Sequence, residues 1–235
     1  MPRISICVPV YEMKNGNSEK FLVEYFSNLI HQTYKDFDVI VSDQDSSPKL
    51  KNICGVFSSV LNIKYYENIS PIKTAANNVN NAIRNATGDI IKLLYMDDFF
   101  VDVYALQKLS DAFDQNEGKW LICGFTHCDQ ERTNFYDTRI PWFGNKYVNG
   151  DNTTGNPSTY AVRKKYALEM DENLLWLVDG EYFYRSYFHY GDPIIIQDTL
   201  VAFREHQDSA FLDSKYRELD SKERQYCINK YKNYK

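Results

Sequence analysis

The segment IKLLYMDDFF, residues 91–100, closes an apolar run with two adjacent carboxylates, Asp97 and Asp98. A strand ending this way delivers anionic oxygen to a divalent cation: Mg²⁺ and Mn²⁺ are hard ions that take one or two carboxylates and fill their remaining positions with water or phosphate oxygen. Adjacent strand residues point to opposite faces, so both carboxylates reach one ion only if the strand has ended before them. Otherwise Asp98 caps the helix that follows. Asp43 closes a second apolar run in DFDVIVSDQDSS, and Asp179 and Glu181 lie two apart in VDGEYFYR. On a helix that spacing separates two side chains by about 200°, so one substrate would meet only one of them. Cys123, His127 and Cys128 cluster, but zinc needs a further ligand at a matching spacing and the sequence supplies none.

The elements that must hold these residues can be read from periodicity. RISICVPVY is a buried first strand, and NGNSEK is a loop that offers Asn17 or Ser18 as an N-cap. Phe21, Leu22, Tyr25, Phe26, Leu29 and Ile30 recur at helical spacing on one face. DFDVIVSD and LNIKYYEN are further strands, TAANNVNNAIRNATGD an Asn-rich helix closed by Gly88, IIKLLYMDD a fourth strand, and DVYALQKLSDAFDQ another amphipathic helix. Strands alternating with helices predict an α/β fold with a mostly parallel sheet, and such sheets bind ligands beyond the carboxyl ends of their strands. Tyr11, Glu12, Asp43 and Asp97 all fall at predicted strand ends and should converge on one crevice. Beyond residue 120 the pattern loosens into Gly-, Asn- and Pro-rich loops over 141–157, a helix over 172–190, the strand PIIIQDTLVAF and a charged C-terminal helix. The expected division is a domain over 1–207, with a ligand-binding half over 1–100 and a second half over 101–207, then a helical extension over 208–235.

Composition narrows the partners. The 235 residues carry a formal net charge of −5, which argues against nucleic acid, whose binding needs a basic stripe to replace phosphate counterions. Five cysteines in an odd, irregular set suit free thiols in a reducing compartment. No signal-like segment leads the first strand and no apolar run approaches the ~20 residues of a membrane span, so a cytoplasmic protein, peripheral at a membrane at most, is expected. The N-x-S/T triplets at Asn68, Asn85 and Asn152 are then chance occurrences.

Three stretches in register, ISICVPVYE, LIHQTYKDFDVIVSDQDSS and NNVNNAIRNATGDIIKLLYMDD, resemble the nucleotide-binding half of a family 2 glycosyltransferase. The resemblance implies a GT-A fold, Rossmann-like, with helices flanking the central sheet. It also implies inverting transfer of a hexose from a UDP- or dTDP-sugar to a hydroxyl of a glycan or lipid-linked glycan, in surface polysaccharide or glycan biosynthesis, with Mn²⁺ or Mg²⁺ as cofactor. Pro9, Tyr11 and Glu12 would line the base and ribose, as the family's first loop does, together with Tyr95 and Met96. Asp43 could accept the ring N–H of a pyrimidine or cap the following turn. Asn77 and Asn80, on one helix face, could bond the nucleotide or brace the helix to a loop. Asp97 takes the place of the last Asp of the family's D-x-D motif, whereas Tyr95 stands where its first Asp would be. Asp98 and His206, in AFREH, are further candidates for the metal. ENLLWLVDGEYFYR resembles the acidic helix that supplies the base, with Asp179 first and Glu181 in reserve; pairing of the carboxylate with Arg185 or Arg163 is the alternative. TGNPSTYAVRK resembles the loop near the sugar, placing Gly155 there, and Trp176 is either a sugar platform or a core residue.

Two rivals follow. Tyr95–Asp98 also resemble the YMDD metal site of reverse transcriptases, but the acidic chain offers no upstream palm Asp and no basic template cleft. The missing first Asp instead motivates a non-catalytic nucleotide- or sugar-binding module on the same scaffold.

Overall fold

The first strand, β1 (Ile4–Val10), is buried from end to end because both of its faces are covered. Ile4, Ile6, Val8 and Val10 pack on one side against Phe21, Leu22, Tyr25 and Phe26 of α1 (Ser18–Ile30) and Leu50 and Cys54 of α2 (Pro48–Phe57). Cys7 faces the other side, with Ala76, Val79 and Ala82 of α3 (Ala75–Asn85). The twofold period of the strand thus feeds two separate cores, which is why the run reads as continuously apolar. The computed structural model describes residues 3–143, 152–209 and 218–232. Part of the expected 141–157 loop and part of the 208–235 extension lie outside them.

Nine strands among the described residues form one sheet. β2 (Phe37–Asp43), β3 (Ile63–Glu67) and β4 (Ile90–Leu93) join β1 in the order β3-β2-β1-β4, every pairing parallel. The carboxyl ends of β1, β2 and β4 therefore open on the same edge. Beyond β4 the order continues through β8 (Tyr160–Arg163), β6 (Trp120–Cys128), β9 (Ile194–Arg204) and the two-residue β5 (Phe99–Phe100), with β7 (Phe135–Arg139) beside β6. Here only β6–β9 is parallel, while β4–β8, β6–β8, β6–β7 and β5–β9 are antiparallel. The parallel sheet expected from the sequence is thus one half of a mixed one.

Helix α4 (Ala105–Gln115) adds Leu106, Leu109 and Phe113 to the first core. Helix α5 (Val178–Tyr190) adds Val178, Tyr182 and Phe183 to the second, and α6 (Asp220–Tyr231) adds Cys227. α5 starts six residues after the expected 172–190 boundary, because residues 171–177 form turns. The turn at Thr87–Gly88 seats on the start of β1: Ser5 Oγ accepts from both their N–H groups and donates to the buried Asp38, which is paired with Lys64 at 2.7 Å. A side chain at Gly88 would lie 2.7 Å from the Ser5 backbone nitrogen, so only glycine fits there.

Candidate active site

The strand β4 ends at Leu93, and a turn closed by the Asp98 N–H on the Tyr95 carbonyl follows at once. Asp97 and Asp98 therefore sit beyond the strand, yet they part company. Asp98 is 2% exposed, and its carboxylate accepts from Ser158 Oγ (2.6 Å), Asn156 Nδ2 (2.8 Å) and Arg204 N (3.3 Å). Burial, and then the charge of Asp97, raise its pKa well above the carboxylate range. Its oxygens are spent on holding the 154–160 loop and the end of β9, so of the two carboxylates only that of Asp97 stays partly exposed. Asp97 is part-exposed, and its Oδ2 lies 3.0 Å from Nε2 of His206, which follows β9. The His206 ring is buried edge-on against Phe21, and Nδ1 accepts the Asp208 N–H, so Nε2 carries the proton aimed at Asp97.

Beneath this pair runs Lys92, wholly buried in the middle of β4. Its ammonium donates to the Ser158 carbonyl and, at 3.5 Å, to that of Tyr160, and burial brings its pKa down to about 8. Lys92, Ser158 and Asp98 thus bind the 154–160 loop to β4 from below, a role visible in the sequence only as a lysine interrupting IIKLL. Gly155 in that loop has φ +82°, and a Cβ there would approach the rings of Phe203 and Phe125 to 2.8 and 3.0 Å. Its glycine is accounted for by the close approach of the aromatic pair.

Asp179 occupies the first turn of α5. It is partly exposed, and its carboxylate accepts no hydrogen bond among the described residues; burial lifts its pKa to about 7. Tyr95 links it to the cation side: the charges of Asp179, Asp98 and Asp97 all bear on its hydroxyl, which is buried without a hydrogen-bond partner among the described residues. The charges of Asp97 and Asp179 thus both act on one phenol, although 82 positions separate them in the chain. Glu181 does not share this setting. It is 3% exposed and its carboxylate is taken by Arg185 (2.9 Å), Lys230 (2.7 Å) and Tyr231, so the reserve base is committed to ion pairs.

The nucleotide candidates divide similarly. Asp43 is fully buried and accepts from Asp45 N (3.0 Å), Ser47 N (2.8 Å) and Tyr65 OH (2.6 Å), which makes it the clasp of the turn after β2. Gln44, the next residue, is partly exposed; its N–H bonds the Val10 carbonyl and its carbonyl accepts from Lys73. Glu12 is exposed at the crevice, with its N–H on Asp45 and its carboxylate on Ser47; Tyr11 is partly buried, and Pro9 is buried within the sheet. Met96 packs into the first core. Asn80 braces α3 to the segment ahead of α5, exchanging bonds with Met170 N and O and donating to Glu172. Asn77 is buried, with Oδ1 lacking a hydrogen-bond partner among the described residues. The asparagines that reach the strand ends are instead Asn78, on Val10 O (3.0 Å) and Ser42 Oγ (2.6 Å), and Asn81, also on Ser42. Their spacing equals that of Asn77 and Asn80, and only the helix rotation tells the pairs apart. Trp176 donates from Nε1 to Asp220 of α6 at 3.1 Å, which ties its ring to the C-terminal helix.

The donor set at Asp97 and His206 fits a divalent cation. One carboxylate oxygen and one imidazole nitrogen lie 3.0 Å apart; a cation between them would take the Nε2 lone pair, the ring proton would move to Nδ1 at the expense of its bond from the Asp208 N–H, and phosphate or water oxygens would complete the shell. No group of three or more metal-ligating side chains occurs among the described residues. No helix of the described residues is long and apolar enough to cross a membrane.

Comparison with known proteins bears on this arrangement. The model of the family described as glycosyl transferase family 2 matches residues 5–170. Glycosyltransferase GlyG of Streptococcus pneumoniae is 27% identical over 136 residues, which are 57% of this chain and 42% of that protein. The GalNAc(5)-diNAcBac-PP-undecaprenol beta-1,3-glucosyltransferase of Campylobacter jejuni is 29% identical over 126 residues, 52% of this chain and 39% of that one. The chain thus spans about two fifths of the length of these curated relatives. Among solved structures, S. aureus TarS 1-349 in complex with UDP-GlcNAc superposes with a TM-score of 0.75 at 16% identity, covering 96% of this chain and 66% of that one. At that identity the likeness speaks for the fold, and it is a GT-A fold.

Proposed function

The chain belongs to glycosyl transferase family 2, and from that premise we propose that it is an inverting, metal-dependent hexosyltransferase using a UDP- or dTDP-sugar. The observation that carries the reading is the Asp97–His206 pair just beyond β4, with the carboxylate of Asp179, free of hydrogen bonds among the described residues, acting on the same Tyr95 hydroxyl as Asp97. Asp97 and His206 would hold Mn²⁺ or Mg²⁺. When bound, the cation neutralises charge on the departing diphosphate. Asp179, its proton affinity raised toward neutrality, takes the proton of an acceptor hydroxyl as that oxygen attacks the anomeric carbon from the face opposite the diphosphate. The bond from carbon to phosphate oxygen breaks, its electron pair leaves with the nucleoside diphosphate, and the configuration inverts.

A glycan or lipid-linked glycan as the acceptor, in the assembly of a surface polysaccharide, is in keeping with the C. jejuni relative, whose name records an undecaprenol-linked glycan. The UDP-GlcNAc complex of TarS supports a UDP-sugar donor. The clasping role of Asp43 moves base recognition toward Gln44 and the Tyr11–Glu12 segment, which share the same rim.

Titration of the protein with Mn²⁺ against a panel of nucleotide sugars, read by thermal shift and by release of the nucleoside diphosphate, tests the reading. Stabilisation and turnover should both require metal and a uridine or thymidine donor, and both should disappear in Asp97→Asn. Metal-dependent binding with no hydrolysis or transfer from any donor would favour the non-catalytic module instead.

A further inference from the structure

The C-terminal helix is bolted to the backbone that leads into Asp179. Glu223 of α6 is 6% exposed, and its carboxylate accepts the N–H groups of Leu175 (2.9 Å), Trp176 (3.0 Å) and Leu177 (2.8 Å). Leu177 is the N-cap residue of α5 and gives the helix no side-chain cap of its own. A helix start normally finds its acceptor in the chain just before it; here a carboxylate from a helix more than forty residues later in the chain does the work, with its charge set against the positive end of α5. A second fastening lies just past Asp179. Lys230 and Tyr231 of α6 both bind Glu181, and Lys230 also reaches Asp171 at 2.6 Å. The backbone before Asp179 and the side chain two residues after it are thus held by one helix, while the Asp179 carboxylate has no hydrogen bond among the described residues to orient it.

We infer that α6 is a positioning element of the transferase, with Glu223 setting the direction in which Asp179 meets the acceptor hydroxyl. The inference rests on the reading of Asp179 as the base. Glu223 touches no substrate; it acts through the backbone of 175–177. Releasing three N–H groups lets the first turn of α5 rotate, and misplacing a catalytic group by even about 1 Å costs a large factor in rate without weakening donor binding.

The test uses the full chain with Glu223→Ala, Glu223→Gln and, as a packing control on the same helix, Cys227→Ala. Steady-state transfer is measured against donor concentration, and amide hydrogen exchange is followed over residues 174–179. Glu223→Ala should lower kcat about tenfold or more with the KM for donor within about twofold. Glu223→Gln, which keeps one acceptor oxygen, should fall between Ala and the native residue. Exchange over 174–179 should quicken in the same order. Cys227→Ala should lower the melting temperature while leaving kcat within about twofold, since the buried thiol belongs to the second core and the N–H groups of 175–177 are bonded by Glu223. A native kcat in Glu223→Ala, or an equal loss of kcat in Cys227→Ala, would overturn the inference. If the native chain transfers no sugar but exchange over 174–179 still quickens in Glu223→Ala, the sugar-transfer reading falls and the clamp on α5 stands.

Discussion

Replacing Asp179 by Asn should make the protein more stable and less active at once, and the pH at which it does so is set by the structure. The carboxyl moves from its ordinary value of 3.8 to about 7 through burial alone. Each tenfold change in proton affinity is worth about 1.4 kcal/mol, so a fully sealed carboxylate would carry a penalty of about 4 kcal/mol. Asp179 retains partial exposure, and solvent screening brings the expected cost to on the order of 2 kcal/mol. The sign follows from proton linkage. Below pH 3.8 the carboxyl is protonated in folded and unfolded chains alike and costs nothing. Between 3.8 and about 7 the unfolded chain ionises first, so stability falls as pH rises. Above 7 the whole penalty is present. Asp179→Asn, neutral and of the same shape, should raise the melting temperature at pH 8 by roughly 4–8 °C and leave it unchanged at about pH 3, below the unfolded value of 3.8. Transfer should fall by about 10²–10⁴, the range for loss of a general base, while metal-dependent UDP binding persists. In the native chain kcat/KM should rise with pH and level off above about 7, as the base loses its proton. Calorimetry at the two pH values and initial rates across the series measure both halves. An Asn variant no more stable than the native chain at pH 8, or one retaining more than about a tenth of native transfer, would refute the assignment.

Two further substitutions test the frame around the site. Asp43→Asn leaves one of three donors, Asp45 N, Ser47 N or Tyr65 OH, facing an amide N–H, and should cost about 1–3 kcal/mol in urea unfolding; weakened UDP binding with unchanged stability would instead assign Asp43 to the ligand. Gly88→Ala drives a methyl to 2.7 Å from the Ser5 nitrogen and 2.9 Å from the Ile4 carbonyl carbon, both backbone, and should cost about 1–3 kcal/mol as β1 shifts. An unfolding midpoint equal to the native one would show that the Thr87–Gly88 turn can move away freely.

The local patterns were legible because they repeat at the period of the element that bears them. The alternation in Ile4–Val10, the helical stripe from Phe21 to Leu29 and the acidic end of the fourth strand each follow from neighbours in sequence, whereas the order β3-β2-β1-β4 in the sheet came from the structure. The second half resisted for the same reason. WLICGFTHC in β6 is an almost unbroken apolar run flanked by β8 and β9, and a run buried on both faces carries no alternation to separate strand from helix. Helix α2 hides behind turn-like SSPK, where Ser47 caps the helix and Pro48 opens it.

Sequence by itself determined the α/β layering, the meeting of β1, β2 and β4 at one edge, and the residue types that would handle a cation, since each depends on short-range period and on side-chain chemistry. Tertiary structure decided which of those residues are free to act. Asp97 and Asp98 are neighbours with the same chemistry, but Ser158, Asn156 and Arg204 claim one and leave His206 to the other. Glu181 and Asp179 divide in the same way through a helix that arrives forty residues later. A carboxylate's availability depends on what else is packed within hydrogen-bond reach of it, and that neighbourhood is assembled from parts of the chain that no local pattern connects.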